Sequence, residues 1–178
     1  MKRPLSILAL LSLLASCRPG TFDCLDPLGC VEVPAGAPLV IGVLAAASGP
    51  EALAGQRLVQ GVESAAARQE DLLGHPIEVV FQASDCSGTE AARAASQLAA
   101  DPDLLLVIGP ACPVDLEIAA PYLASAGIAV ISPVFSALPG AALAEQAFRA
   151  ILAVAVQDGS GTHWIPRQAL IDQPALSP

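Results

Sequence analysis

The residues best equipped for chemistry in this 178-residue sequence are five cysteines, two histidines and a scatter of carboxylates. Cys112 has the most suggestive setting, within "VIGPACPVDL", Val107 to Leu116. There an apolar strand, Leu104 to Ile108, runs into Gly109-Pro110 and then Cys112-Pro113. Proline suits the first position of a helix, and acidic Asp115 and Glu117 follow it. A loop at the carboxyl end of a strand and the start of a helix is where open α/β sheets hold ligands. Cys112 in such a loop could be a nucleophile, a metal ligand or half of a disulfide. The other candidates are weaker. His75 and His163 stand in separate turn-like contexts, "GHP" and "THW", without a nearby cysteine or a second histidine at ligand spacing. "VIGP" lacks the glycine spacing and the lysine of a phosphate loop. "DGSG" holds a serine without the flanks of a nucleophile elbow. The carboxylates fall mostly on presumed helix surfaces. The expectation is therefore no catalytic residue, no metal site, no cofactor and no enzymatic activity.

Compartment decides between the roles of Cys112, and the N-terminus supplies it. "MKR" is a cationic start, "LSILALLSLL" an apolar run, and "LASC" closes it with small residues before Cys17. The apolar run is too short to span a bilayer as a mature helix. Leu14-Ala15-Ser16-Cys17 resembles a bacterial lipobox, whose cysteine is lipidated and becomes the new N-terminus. The alternative is an ordinary signal peptide with a coincidental cysteine. Export holds in both cases. With Cys17 lipidated, Cys24, Cys30, Cys86 and Cys112 remain, and an even number in an exported chain favours disulfides over metal-binding or catalytic thiols. Cys24 and Cys30 flank the turn "LDPLG". Cys86 and Cys112 each follow a strand, and neighbouring parallel strands would set those two ends side by side. Four free thiols are the alternative.

Composition narrows the partners. Hydrophobic residues make up 54% of the chain and aromatic ones only 3%. The core should then consist of alanine-rich helices on Val/Ile/Leu strands. Loss of Lys2 and Arg3 with the leader leaves 6 basic against 17 acidic residues, a net charge of −11. That argues against nucleic acid, whose phosphates need clustered Lys and Arg, and against a polybasic hold on anionic lipid.

The elements that must position these residues alternate regularly. Residues 18–38 are rich in Pro and Gly and read as a tether with a small disulfide loop. "LVIGVLAAAS" is apolar without alternation, the pattern of a buried strand. A helix follows over "EALAGQRLVQGVESAAARQE", with Leu58, Val62 and Ala65 or Ala66 at helical spacing. Gly55 and Gly61 interrupt it, which implies close packing against the sheet. "HPIEVVFQASD" is a second strand. Ser87 and Glu90 form a capping-box pattern opening the helix "TEAARAASQLAA". "LLLVIGP" and "IAVISP" are further strands, separated by the helix "PVDLEIAAPYLASAG". The apolar face of that helix is Ile118, Ala119, Tyr122, Leu123 and Ala126, and Pro121 should kink it or free a carbonyl. This alternation specifies a single α/β domain, a doubly wound and mostly parallel sheet with right-handed crossovers. "ILAVAV" then reads as a strand, expected to join the sheet edge beside "IAVIS", with "THWI" pairing back across "DGSG" as a short hairpin.

"IGVLAAASGP", "GQRLVQGVESA", "SDCSGTEAARAASQLAADPDLLLVIGPAC", "AAPYLASAGIAVISP" and "FRA" together resemble the first lobe of type I periplasmic binding proteins, in the leucine/isoleucine/valine-binding branch of ABC-transporter receptors. The resemblance runs from Leu39 to about Arg149. It implies a disulfide between Cys86 and Cys112, because the family pairs a cysteine after its second strand with one after its third. It also implies ligand contacts in the "SGP" loop at Ser48, after the third-strand cysteine at Pro113, and in the loop after "ISP" at Val134 and Ser136. Pro113 departs from the family by offering neither hydroxyl nor N–H, and Ala54 stands where family members carry an aromatic cover. Residues 150–178 look like a fragment of the second lobe, most of which is missing. The expected organisation is a signal peptide over 1–16, a lipid-anchored tether over 17–38, the first lobe over 39–149 and the fragment over 150–178. The expected function is that of a truncated extracytoplasmic receptor for a branched-chain amino acid, held on the membrane by its N-terminal lipid and serving an ABC permease. The alternative is a non-transporting remnant or scaffold. Replacing Cys17 by alanine should stall processing and release the protein from membranes, as read by cell fractionation; unchanged membrane retention contradicts lipidation.

Overall fold

The computed structural model describes residues 22–174 and 176; the leader and Cys17 lie outside the described residues. Four parallel strands form the centre: β2 (Leu39–Ala46), β3 (Ile77–Ser84), β4 (Leu104–Ile108) and β5 (Ala129–Ile131), in the spatial order β3-β2-β4-β5. Leu39 pairs with Ile77 and Ala46 with Ser84 along the full length of β2, while Ile41 to Val43 align with Leu106 to Ile108 on its other side. Every residue of β2 and of β4 is buried. Helices cover both faces of the sheet, so those strands need apolar residues on each side and lose the alternation of a one-sided strand.

The two faces are sorted by residue parity. Leu39, Ile41, Val43 and Ala45 of β2 share a core with Leu58, Val62 and Ala65 of α1 (Ala52–Arg68) and with Leu143, Ala144, Ala147 and Ile151 of α5 (Gly140–Val154). Val40 and Leu44 face the other way, onto Ala94, Ala95 and Leu98 of α2 (Thr89–Ala99) and Ala119 and Leu123 of α3 (Pro113–Ser125). Small helix residues let the helices lie close to the strands. At Gly55 an added Cβ would collide with the backbone of Ala46, so that glycine does pack on the sheet. Gly61 meets a different neighbour: its Cβ would lie 2.7 Å from the Ala141 N in α5. Gly140 faces the backbone of Leu58 in return, and the two glycines set the α1–α5 crossing.

Several local expectations need correction. The Ser87/Glu90 capping box does not form: Gly88 is the N-cap of α2 without any side-chain cap, Ser87 Oγ donates to Asp85 at 2.6 Å, and Glu90 pairs with Arg93 at 2.9 Å. In α3 the buried stripe is Asp115, Leu116, Ala119 and Leu123, while Ile118 and Tyr122 are 39% and 44% exposed. That helix is apolar nearly all round, so periodicity offered no unique face, and packing against α2 and β5 selected one. Pro121 does not end α3 and lies on its exposed side.

The tail differs most. Residues 151–154 complete α5 instead of forming a strand beside β5. Leu143, Ala147, Ala150, Ile151 and Val154 recur at helical intervals and are buried, so the period continues through "ILAV". Only Val156–Gln157 remains as strand β6, and it does pair with β7 (His163–Pro166) across "DGSG". The outer partner of β7 is β1 (Cys30–Val33), a strand within the segment read as irregular tether, giving a second antiparallel sheet β1-β7-β6. The short helix α4 (Pro133–Ser136) follows β5, and α6 (Arg167–Ile171) follows β7.

The segments around residues 24–30 and 167–169 are fastened beside this second sheet. A Cys24–Cys30 disulfide closes the loop that carries Asp26. The Asp26 carboxylate accepts from the backbone N–H groups of Leu28, Gln168 and Ala169 at 2.9, 3.0 and 3.1 Å. Burial alone would push this carboxyl up, but the three N–H donors hold it below the usual carboxylate range. Arg167 donates to the Leu104 and Pro102 carbonyls at 3.3 and 3.0 Å, tying α6 to the start of β4. The α1–α5 crossing brings two helix backbones into close contact. Gly61→Ala should lower the unfolding free energy by about 1–3 kcal/mol, measured by urea denaturation, because the clash is with backbone that has no rotamer to change.

Candidate functional site

The loops that leave the carboxyl ends of β2, β4 and β5 form a crest along one rim of the parallel sheet. The loop after β2 turns to the α1 face and the loop after β4 to the α3 face. The gap between them is the topological switch point, where open α/β sheets place ligands. Ser48 lies exposed on the β2 loop, and Pro113 lies exposed at the first turn of α3. Val134 and Ser136 sit half-buried in α4.

Two of the shallow pockets along this rim adjoin the candidate residues. One, of about 290 Å³, is lined by Pro113, Leu116, Glu117, Ala120, Val134 and Phe135. The other, of about 250 Å³, lies between the start of α1 and the β5–α5 connection and is lined by Ala54, Arg57, Ala111, Pro133 and neighbours. The structure therefore brings Pro113 and Val134 to one pocket and puts Ala54 beside the cation Arg57 in the next. Ser48 and Ser136 line neither. A larger cavity of about 510 Å³ lies between β1 and the start of β2, at the opposite end of the strands from the crest.

Hydrogen bonds decide what this rim can offer a ligand. Ser132 Oγ donates to the Pro110 carbonyl at 2.6 Å and accepts from Val134 N–H at 3.1 Å. It thereby joins the β4 and β5 loops while capping α4, the role expected of Ser before Pro. Ser136 Oγ donates to the Ser132 carbonyl at 3.3 Å. Both hydroxyls of the third loop are thus spent inside the protein, and the wall beside them is apolar. Ser132 was not singled out from the sequence, although "SPVF" has the form of a cap followed by proline at the first helical position.

Beside the crest, Cys86 and Cys112 are joined in a disulfide with their Cα atoms 5.8 Å apart. Asp115, with no solvent exposure, accepts from Cys86 N–H at 3.2 Å and from Gly88 N–H at 3.1 Å. These bonds hold Cys86 at φ 62°, a left-handed conformation that non-glycine residues rarely adopt. Cys86, Cys112 and Asp115 are the one group of potential metal ligands clustered among the described residues. With the sulfurs bonded to each other no thiolate is available to a metal or as a nucleophile, and the carboxylate is occupied by backbone donors. In the sequence Asp115 is only a first-turn acid; its reach to the β3–α2 loop has no local signal.

This fold, a parallel sheet with helices on both faces and its loops gathered at the carboxyl rim, is an α/β lobe. Residues 38–163 match the family described as periplasmic binding protein, and the chain belongs to that family. Among solved structures, it is similar to the branched-chain amino acid transporter substrate-binding protein LivJ of Streptococcus pneumoniae, crystallised with isoleucine. The two share 27% identity at a TM-score of 0.52, over 54% of this chain and 28% of the other. The fold is shared with the leucine-binding protein LivK of Thermotoga maritima, at 23% identity and a TM-score of 0.50 over 53% and 27% of the two chains. It is shared also with a branched-chain amino acid ABC transporter protein of Rhodospirillum rubrum, at 19% identity and a TM-score of 0.52 over 54% and 29%. The chain therefore spans under a third of the length of these relatives. No curated protein matches the sequence.

Asp115→Ala should destabilise the fold by about 3 kcal/mol in denaturant unfolding, since it leaves one buried and one part-buried N–H donor unpaired. An effect below about 1 kcal/mol would show that those donors find other acceptors.

Proposed function

We propose that this protein is an extracytoplasmic solute-binding lobe of the ABC-transporter type. In this reading residues 1–16 are a signal peptide, Cys17 carries the lipid, 18–38 lead from membrane to lobe, and 39–149 form the ligand-facing unit. Residues 150–178, which continue α5 and add the hairpin, serve as a fragment related to a second lobe. The ligand would lie at the carboxyl rim against Pro113 and Val134, with Ser48 and Ser136 as the further contacts. Permease and membrane would be the partners, and no reaction would be catalysed.

The pocket shared by Pro113 and Val134 at the carboxyl rim of the sheet carries this reading, together with the family match. The isoleucine-bound relative favours an amino acid with a branched side chain, and the apolar wall suits such a side chain. One lobe covers a single side of a small molecule, whereas effective pockets bury most of the ligand surface. Affinity should accordingly be weak, with Kd about 1 mM or above, near −4 kcal/mol. The second reading is a scaffold lobe without a ligand, favoured by the internal use of both Ser132 and Ser136 hydroxyls.

Calorimetry on residues 17–178 with leucine, isoleucine and valine separates the two. Saturable heat that disappears in Val134→Asp supports binding at the crest. No heat with any of the three at millimolar concentration supports the scaffold.

A further inference from the structure

The two histidines, 88 residues apart in sequence, meet inside the protein. His75 Nε2 and His163 Nδ1 lie 2.8 Å apart, and His75 Nδ1 lies 2.8 Å from the Ala37 carbonyl. The residues are only 1% and 6% exposed, and their rings meet edge to face. A carbonyl can only accept, so His75 Nδ1 carries a proton and donates it to Ala37. In the neutral pair His75 Nε2 is therefore the acceptor and His163 Nδ1–H the donor.

The pair joins two parts of the fold. His75 belongs to a tight turn, where Leu72 and His75 exchange both backbone hydrogen bonds around Leu73 and Gly74 at φ 60° and 80°. Leu72 anchors that turn in the main core. His163 opens β7, directly opposite Val33 of β1 and Gln157 of β6. We propose that the His75–His163 pair is a pH-sensitive clasp that holds the β1-β7-β6 sheet on the lobe when neutral and releases it on acidification.

Proton counting supports this. One added proton can be accommodated: His75 becomes a double donor, and His163 moves its own proton to Nε2 and presents Nδ1 as the acceptor. A second proton leaves two cations facing each other N–H to N–H, with the hydrogen bond gone. The surroundings supply little relief. Asp158, in the β6–β7 turn, favours the charged form of His163 but is occupied by Ser160, Thr162 and Trp164. Glu32 on β1 is exposed, as are Glu70 and Asp71 before the turn and Glu78 on β3. Asp71 also accepts from Gly74 N–H. Arg68, at the end of α1, faces Glu145, and Arg167 is tied to carbonyls of 102 and 104. The segment from Ala37 through β2 brings only the carbonyl.

Burial, then the neighbouring His75, hold His163 below the ordinary histidine value, with Asp158 opposing them. The closed state thus holds a proton on His163 less readily than a solvated imidazole does. Closure is complete above about pH 6.5 and is lost progressively as the pH falls below it. What opens is apolar: Val31 and Val33, each 3% exposed, and Ile165 at 0%.

Trp164, the single tryptophan, reports on this event directly, because it stacks on Phe22 at 5.2 Å and bonds Asp158 from within β7. Between pH 7.5 and 5 its emission should shift to the red while the far-ultraviolet signal of the helices is retained. With one to two protons taken up per opening, the open-to-closed ratio should rise about tenfold to a hundredfold per pH unit. His163→Asn keeps a donor at the Nδ1 position, and its amide can turn to accept when His75 is protonated. That variant should lose most of the response over the same range. A wild-type emission that stays constant to pH 5, or an undiminished response in His163→Asn, overturns the clasp. Should the variant fail to fold, imidazole nitrogen NMR of the wild-type protein decides. The clasp requires both Nδ1 atoms protonated at pH 7.5 and two linked titrations that follow the Trp164 shift, whereas independent titration of the two rings near the ordinary value refutes it.

Discussion

Complete burial of β2 is the constraint on which the rest of the structure depends. A strand with no exposed residue needs hydrogen-bonded neighbours on both edges and helices on both faces. β3 and β4 supply the edges, α1 and α5 one face, α2 and α3 the other. Aromatic residues, at 3% of the chain, do little of this packing. Aliphatic strand residues against alanine and glycine on the helices do it instead, and that shortens the distance between layers. The close approaches at Gly55, Gly61 and Gly140 are the geometric result.

The same packing gives the crest its form. Because α1 and α3 leave β2 and β4 toward opposite faces, their loops diverge and leave the switch-point gap. The β5 loop is then drawn against the β4 loop by Ser132, and the β3 loop is held to α3 by Asp115 and the Cys86–Cys112 bridge. These polar contacts stiffen the rim with groups that could otherwise have faced a solute. The rim is thus largely apolar at its centre, with Arg57 nearby.

Away from the crest, residues 30–33 and 156–166 build a second sheet with three polar attachments nearby: Asp26 to the first turn of α6, Arg167 to the start of β4, and His75 to His163. Ile165, Val31 and Val33 add an apolar contact to the main core. The lobe thereby covers its α5 side with its own tail.

The parallel sheet and its helices were legible in the sequence, because unbroken apolar strands and helical periods in α1 and α2 are local patterns that burial on two faces imposes directly. Cys24 and Cys30 were equally readable, being six residues apart across a Pro/Gly turn. Where local pattern is ambiguous, tertiary contact decided. "ILAVAV" is apolar enough for a strand, but the register of α5 on α1 carried the helix through Val154. Residues 30–33 carried too little pattern to read as a strand until β7 paired with them. α3 could have buried either of two faces, and its neighbours chose. At the rim, Pro113 and Val134 were named only through the family resemblance; that they line one pocket follows from the fold, since strand ends share one edge of the sheet. The roles of Ser132 and Asp115, and the meeting of His75 with His163, depend on loops distant in sequence arriving within about 3 Å of each other, and side-chain hydrogen bonds of that range leave no periodic trace in the chain.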